Sequence, residues 1–310
     1  VSAPAVRLDG LGHRFGSTEA LAGVSVEIAH GECFGFIGPD GAGKTTLFRI
    51  MTSLIVPTTG SARVLGLDPV ADLWALRQQV GYMPGRFSLY PDLSVQENLE
   101  FFASVFGTTP DAQAAVIAPI WSQLERFRDR RAGALSGGMK QKLALCCALV
   151  HAPGILFLDE PTTGVDAVSR AEFWALLERL RADGLTIILS TPYMDDAGRC
   201  DRVALMQGGR LLQVDTPAAI TASYPRPLVA ARGADRLGLL AALRAHPHAA
   251  AVWPFGDRVH VTDDRAGLDP ARVAGELEAW LGARGVVARC EPGRPTIEDA
   301  FMWHVAGRAA

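Results

Sequence analysis

The sequence predicts an α/β protein with a mostly parallel sheet, and three stretches carry the prediction. Phe34-Gly35-Phe36-Ile37, Ile155-Leu156-Phe157-Leu158 and Thr186-Ile187-Ile188-Leu189-Ser190 are short, nearly unbroken apolar runs. Such runs belong to strands buried on both faces, and hence to a parallel sheet. The first two lead through small and polar residues into helical patterns, Leu47 to Leu54 and Ser169 to Arg181, as βα units require. Around this core the sequence predicts an antiparallel β subdomain, a helical insert at about 86–145, and a small α+β domain at the C-terminal end.

The stretch with the most chemistry is Gly38-Pro39-Asp40-Gly41-Ala42-Gly43-Lys44-Thr45-Thr46. A buried strand, a loop reading Gly-x-x-x-x-Gly-Lys-Thr and a helix, in that order, form a phosphate-binding loop. Side chains there would keep the backbone from wrapping a polyphosphate, so glycines let successive N–H groups converge as an anion nest. The helix behind adds its dipole and its free N–H groups. On this reading Lys44 reaches the terminal phosphates and the Thr45 hydroxyl ligates Mg²⁺.

With 310 residues the chain accommodates one large domain and a smaller one, here 1–222 and 226–310. Its net charge of −3 carries no basic excess, which argues against nucleic acid as a partner. Five cysteines form no Cys-x-x-Cys pair; they fit a reducing compartment and small core positions. No apolar secretory region opens the sequence and no stretch reaches the ~18–20 apolar residues of a membrane span. The expectation is a chain that does not cross a bilayer by itself.

In order, Val6 and Leu8, then Val24, Val26 and Ile28, alternate with polar residues as antiparallel strands do. Between them lies Phe15, which read alone is a core side chain, although an aromatic so close to a phosphate loop could also stack on a base. After the loop helix, Pro57 to Ser61 is a turn and Ala62 to Leu65 a strand. From Asp72 to about Ala134 only Val80 to Met83 reads as strand, while Ser94 to Phe106 and Asp111 to Phe127 read as helices. Ser94 with Glu97 three residues later predicts a capping box. Phe87, Leu89, Tyr90, Phe101 and Phe102 are either the insert's own core or the lining of a groove for a partner's helix. The mixed-charge run Glu125 to Arg131 reads as a solvated helix face.

Leu135-Ser136-Gly137-Gly138-Met139-Lys140-Gln141 precedes a helix over Lys142 to Val150 and makes a second helix N-terminus open to an anion. Asp159 and Glu160 end a strand of the sheet at its carboxyl edge, where open α/β sheets bind ligands. Asp159 is expected to hold Mg²⁺ through its water shell, and Glu160 to polarise an attacking water as general base. Val203 to Met206 and Arg210 to Val214 form a closing hairpin through Gly208-Gly209.

The phosphate loop, Leu-Ser-Gly-Gly and Leu-Asp-Glu-Pro, in this order, closely resemble the ATP-binding cassette of ABC transporters, over residues 5 to about 222. The likeness is to cassettes of bacterial drug exporters whose membrane subunits are separate chains. It implies a P-loop NTPase core, ATP and Mg²⁺ as ligands, and a peripheral position on the cytoplasmic side of the membrane. The implied partners are a second cassette, packed head to tail, and an integral membrane permease. It makes Phe15 the adenine-stacking aromatic. Gly38 to Thr46 and Asp159 become the nucleotide and metal site. Leu135, Ser136, Gly137 and Gly138 would meet the partner's ATP, and Asp166 would reach across the dimer.

Two positions depart from the family pattern. Gly85 stands where a glutamine is called for, and Pro192 where a histidine is. Neither offers a side-chain donor or acceptor, and one such preorganised group is worth about 2.7–4 kcal/mol of transition-state stabilisation. Both losses fall on the site that holds this chain's own phosphate loop. The expectation is a cassette that binds ATP·Mg²⁺, hydrolyses it slowly, and completes an active site in a different cassette. The alternative is an ABC-type ATP switch that gates another assembly without transport. A kinase-like enzyme fits poorly beside Leu135 to Gln141.

Beyond Pro225-Arg226-Pro227 the pattern βαββαβ predicts a ferredoxin-like unit: strands at Leu228 to Ala231, Ala250 to Pro254, Val259 to Val261 and Gly285 to Cys290, with helices at Arg236 to Arg244 and Ala271 to Leu281. A last helix spans Thr296 to Val305. Pro295 to Phe301 resembles the ending of many drug- and polysaccharide-exporting cassettes, with a role in dimer contact or regulation.

Overall fold

The computed structural model describes residues 3–86 and 88–309, so Phe87 lies outside the described residues. The chain forms two compact units, Val1–Pro217 and Ala218–Ala310.

The first unit opens with a hairpin, β1 (Val6–Phe15) and β2 (Thr18–Ile28), paired antiparallel from Val6↔Ile28 to Phe15↔Thr18. Its alternating apolar residues Val6, Leu8, Val24, Val26 and Ile28 are all buried. Next come β3 (Cys33–Ile37), α1 (Lys44–Met51) and β4 (Thr59–Val64). β4 adds to the far side of β1, giving a three-stranded antiparallel sheet β2-β1-β4.

After α2 (Leu73–Arg77) and β5 (Val80–Met83) follow three helices, α3 (Val95–Val105), α4 (Ala114–Leu124) and α5 (Gly137–Leu149). The chain then returns to the sheet through β6 (Ile155–Asp159), α6 (Ala167–Ala182), β7 (Thr186–Thr191) and the hairpin β8 (Arg202–Gln207) to β9 (Arg210–Asp215). Six strands lie in the order β5-β6-β7-β3-β8-β9. All neighbours are parallel except the β8–β9 hairpin. Every residue of β3, β6 and β7 is buried, as their apolar runs require. Phe36, Phe48 and Phe157 pack edge to face between β3, α1 and β6, so the phosphate-loop helix rests on the two strands that flank β7.

Several boundaries differ from expectation, each for a local reason. α1 starts at Lys44, not Leu47, because Gly43 in the left-handed region (φ 101°) turns the loop directly into the helix. α5 begins at Gly137, five residues before Lys142, because Ser136 caps it, its Oγ accepting the Met139 N–H at 3.4 Å. The helix expected over Asp111 to Phe127 is α4 flanked by two short 3₁₀ turns. The charged run 125–131 is solvated, but only Glu125–Phe127 is helical, as a 3₁₀ turn. Its backbone doubles back on the start of α3, with Arg128 and Arg130 carbonyls accepting Gln96 and Val95 N–H groups at 2.9 Å. Neither α2 nor α7 (Pro217–Ala222) was expected; each is five or six residues long, too short for a clear helical period.

The second unit contains β10 (Leu228–Gly233), α8 (Arg236–Arg244), β11 (Ala249–Phe255), β12 (Arg258–Asp263), α9 (Pro270–Gly282), β13 (Ala288–Pro292) and α10 (Ile297–Ala309). Its four strands form one antiparallel sheet in the order β11-β12-β10-β13. α8 and α9 cover one face through Leu239, Leu243, Val273 and Leu277 against Val229, Val259 and Val261. Side chains alternate along β12, so His260 points to the other face, where its Nδ1 meets the buried Asp299 of α10 at 2.6 Å. The last strand begins at Ala288 and not Gly285, because Gly285 (φ 74°) and a Val286 N–H to Leu281 carbonyl bond still belong to the end of α9.

The capping box at α3 is complete: Glu97 N–H donates to Ser94 Oγ at 3.1 Å and Ser94 N–H to Glu97 Oε2 at 2.7 Å. Ser94→Ala is therefore expected to cost about 1 kcal/mol, read as a lower urea midpoint for the helical insert. An unchanged midpoint at an unchanged m-value would contradict that assignment.

Candidate functional site

The carboxyl edge of the parallel sheet gathers most of the residues singled out in the sequence. Phe15, Asp40, Gly41, Ala42, Gly43, Lys44, Thr45, Thr46 and Glu160 line one open concavity of about 440 Å³, together with Thr18, Glu19 and Ala20 of β2. Phe15 is not a core residue: it is 50% exposed at the tip of β1 and meets His13 edge to face at 4.4 Å. An exposed aromatic on the rim of a phosphate loop is free to stack on a flat ring.

Gly43 shows why the loop tolerates no other residue there. Besides its left-handed φ, a Cβ built on it would stand 2.6 Å from the Ala20 carbonyl oxygen. Lys44 is 3% exposed. Its Nζ donates to the carbonyls of Gly38 (2.7 Å) and Pro39 (3.0 Å) and lies 3.5 Å from Glu160 Oε1. A buried ammonium held by carbonyls and a carboxylate is already desolvated, and phosphate oxygens can replace those carbonyls.

Asp159 and Glu160 diverge although adjacent. Asp159 is buried and accepts a 2.6 Å hydrogen bond from Ser190 Oγ. Glu160 turns out of the strand with φ 52°, a conformation that costs an L-residue about 1–2 kcal/mol. Its N–H donates to the Ser190 carbonyl at 3.0 Å and to Ser190 Oγ at 3.1 Å, and its Oε2 accepts Thr163 Oγ1 at 3.4 Å. The left-handed turn sends Glu160 forward into the concavity while Asp159 stays behind. The hard oxygen donors on offer include the Thr45 hydroxyl and the Glu160 carboxylate in the concavity and the Asp159 carboxylate buried behind it; they fit Mg²⁺ shared with phosphates, which uses few protein ligands.

Gly85 sits directly against this pair. A Cβ built there would lie 2.9 Å from the Asp159 carbonyl oxygen and 3.7 Å from Glu160 Cβ. The chain runs so close to Asp159 that any side chain at 85 needs the segment to shift. Pro192 follows β7 and introduces a 3₁₀ turn, Met194–Arg199. Beneath it, the buried Asp196 collects Arg170 Nη2 (2.6 Å), Trp174 Nε1 (2.9 Å), Thr191 Oγ1 (2.9 Å) and Thr162 Oγ1 (3.5 Å). These bonds tie the turn after Glu160, the first half of α6 and the end of β7 to one carboxylate.

None of Leu135, Ser136, Gly137, Gly138 and Asp166 lines the concavity. Asp166 caps α6, its Oδ1 accepting Val168 and Ser169 N–H groups at 3.1 and 3.0 Å. The Ser169 N–H, foremost, holds its carboxyl below the usual aspartate range. Within this chain, then, the signature segment, Leu135 to Gly138, lies outside the concavity that holds the phosphate loop.

A second, apolar groove of about 410 Å³ lies between α2, β5, α3 and the end of α5, lined among others by Trp74, Tyr82, Met83, Phe102, Val105 and His151. Of the apolar cluster in the insert, Leu89 and Phe102 line it, whereas Tyr90 and Phe101 are 47% and 39% exposed and pack edge to face on each other. Sequence reasoning missed Ser190, Asp196 and Arg170. A serine closing an apolar strand was the available signal for the first; nothing distinguished Asp196 from its exposed neighbour Asp195.

The family described as "ABC transporter" matches residues 21–163. The chain is 44% identical over 220 residues to "Probable multidrug ABC transporter ATP-binding protein YbhF" of Escherichia coli, covering 70% of this chain but 38% of that protein's length. It is 34% identical over 309 residues to the Nod factor export ATP-binding protein I of a Rhizobium species, covering 97% of both. Among solved structures, a dimeric ATP-binding cassette in a post-hydrolysis state bound to ADP and phosphate superimposes with a TM-score of 0.61. It is 25% identical and covers 68% of this chain and 98% of that one. With the cassette fold, and a relative matched over nearly its whole length, the chain belongs to the ATP-binding proteins of ABC transporters, a family of nucleotide-binding ATPases.

Proposed function

We propose that the chain is the ATP-binding subunit of an exporter of small molecules, whose membrane permease is a separate chain. The names of the relatives, multidrug and Nod factor export, support export. Among the described residues no helix is long and apolar enough to cross a membrane, which suits peripheral attachment at the cytoplasmic face. The observation that carries the reading is the division of parts: loop, Lys44 and Glu160 share one concavity that the signature residues and Asp166 do not line. Such a half-site calls for a second cassette to complete it, and a similar cassette has been solved as a dimer bound to ADP and phosphate.

In this reading Lys44 exchanges the Gly38 and Pro39 carbonyls for phosphate oxygens. Phe15 stacks on the adenine. Thr45, and Asp159 through water, hold Mg²⁺, which when bound neutralises charge on the phosphates. Glu160 orients and deprotonates the attacking water. Gly85 and Pro192 contribute no side-chain hydrogen bond, so the water is less constrained and turnover at this site is slow. The partner cassette is expected to be a different chain, whose site is completed by Ser136, Gly137, Gly138 and Asp166. The groove beside Tyr82 and Phe102 receives a helix of the permease, apolar on the docking face as the lining requires.

Two measurements test this. The purified chain alone should hydrolyse ATP about 10²–10³-fold more slowly than the complete transporter, and in that transporter Ser136→Arg should depress turnover far more than Glu160→Gln. Brisk hydrolysis by the chain alone, unchanged by Glu160→Gln, would refute the reading. Separately, Gly43→Ala should weaken binding of a fluorescent ATP analogue by about 2–4 kcal/mol, from backbone strain and overpacking together. Affinity within twofold of the parent would sink the assignment of the loop.

A further inference from the structure

Ser190 is a fully buried hydroxyl at the carboxyl end of β7, paired across the sheet with Asp159. Its Oγ donates to Asp159 Oδ1 at 2.6 Å and accepts the Glu160 N–H at 3.1 Å. One oxygen thus touches both residues at which the strand divides, the carboxylate that stays behind and the peptide that turns forward with φ 52°. Among the described residues, Ser190 is the one hydrogen-bond donor to the Asp159 side chain.

We propose that Ser190 is a positioning residue: its hydroxyl sets the orientation of Asp159 and holds the Glu160 peptide in its left-handed turn, and so governs the gain in ATP affinity that Mg²⁺ brings. No other group at the tip of β7 does this. Thr191 Oγ1 is committed to Asp196 at 2.9 Å and accepts the Tyr193 N–H at 3.0 Å. Position 192 is a proline and position 85 a glycine, so neither can reach the carboxylates with a side-chain hydrogen bond. The hydroxyl can serve both neighbours at once because it has one proton to donate and lone pairs left to accept. A carboxylate deprived of its donor is free to change rotamer, and a bond to a charged group is worth about tenfold or more in an equilibrium constant.

The inference rests on the reading of Asp159 as a metal-holding carboxylate, and the experiment separates the two. The full chain is titrated with a fluorescent ATP analogue, once with EDTA and once with excess Mg²⁺. Ser190→Ala is expected to leave the EDTA affinity within twofold of the parent and to reduce the Mg²⁺-dependent gain at least about fivefold. Ser190→Thr, which keeps the hydroxyl, should retain the gain. Ser190→Cys, which keeps the packing but weakens the donor, should lose part of it, and carries the test if the alanine variant does not fold. A gain untouched by Ser190→Ala would overturn this inference alone, as would equal losses in EDTA and Mg²⁺, which mark a merely structural hydroxyl. A parent chain with no Mg²⁺-dependent gain would overturn the reading of Asp159 as well.

Discussion

The register of β7 between its two neighbours governs everything at the carboxyl edge of the sheet. Asp159 pairs with Ser190 on one side and Ile37 with Thr191 on the other, so three strands finish level. From that edge the phosphate loop, Glu160 and Pro192 all depart. Glycine 38 is fixed to it as well, its N–H donating to the Thr191 carbonyl at 3.3 Å. In a strand with one solvated face, a one-residue slip would expose the apolar set. β6 and β7 are buried on both faces, so hydrophobicity discriminates poorly between registers. The buried Ser190–Asp159 pair discriminates instead. A slip would leave a carboxylate without its donor in a closed interior, a penalty of about 1–3 kcal/mol or more.

That edge is closely built, and this bears on how the two departures from the family pattern are understood. Around Gly85 and Pro192 the supporting structure is intact. Asp196 still gathers four side chains from three segments, Glu160 still occupies its left-handed turn, and Lys44 is still held beside it. A site drifting into disuse would have little reason to retain a strained φ and a buried carboxylate. The chain near Gly85 also closes in on Asp159 until no Cβ fits. The absence of a side chain there is thus a feature of the backbone path, and restoring glutamine requires moving the segment as well as changing the residue.

Much of the fold was legible because its signals are physically strong. Continuous apolarity in β3, β6 and β7 reports burial on two faces, alternation in β1 and β2 reports one, and the phosphate loop declares both its strand and its helix. The phosphate-loop residues were legible individually, since a nest for anions admits few sequences. What stayed hidden depends on long-range partners. Ser190 and Asp196 act through contacts with residues 31 and 22–34 positions away, and no local pattern reports those. The run 125–131 is solvated as expected but helical only at 125–127, because charge spacing suits a solvated helix and a solvated loop equally and the backbone bonds to Val95 and Gln96 hold the rest as loop. Phe15 shows the converse case. Its residue type pointed to the core, while its place at a hairpin tip left nothing to bury it.

Tyr82 connects the groove to the site by a path that does not need a side chain at 85. It lines the groove and lies on β5 opposite Phe157 of β6. Burial, reinforced by the charge of Asp159, pushes its phenol up to about 12, so it remains a neutral hydrogen-bonding group through the physiological range. α1 begins at Lys44 and packs on β6 through Phe48 and Phe157. A closely packed interior transmits displacement rather than absorbing it. A helix seated in the groove, as proposed above, would bear on β5 and, through Phe157 and Phe48, on the helix that carries the phosphate-binding lysine. That path runs through side chains packed in the core, Phe157 and Phe48, and requires none at position 85.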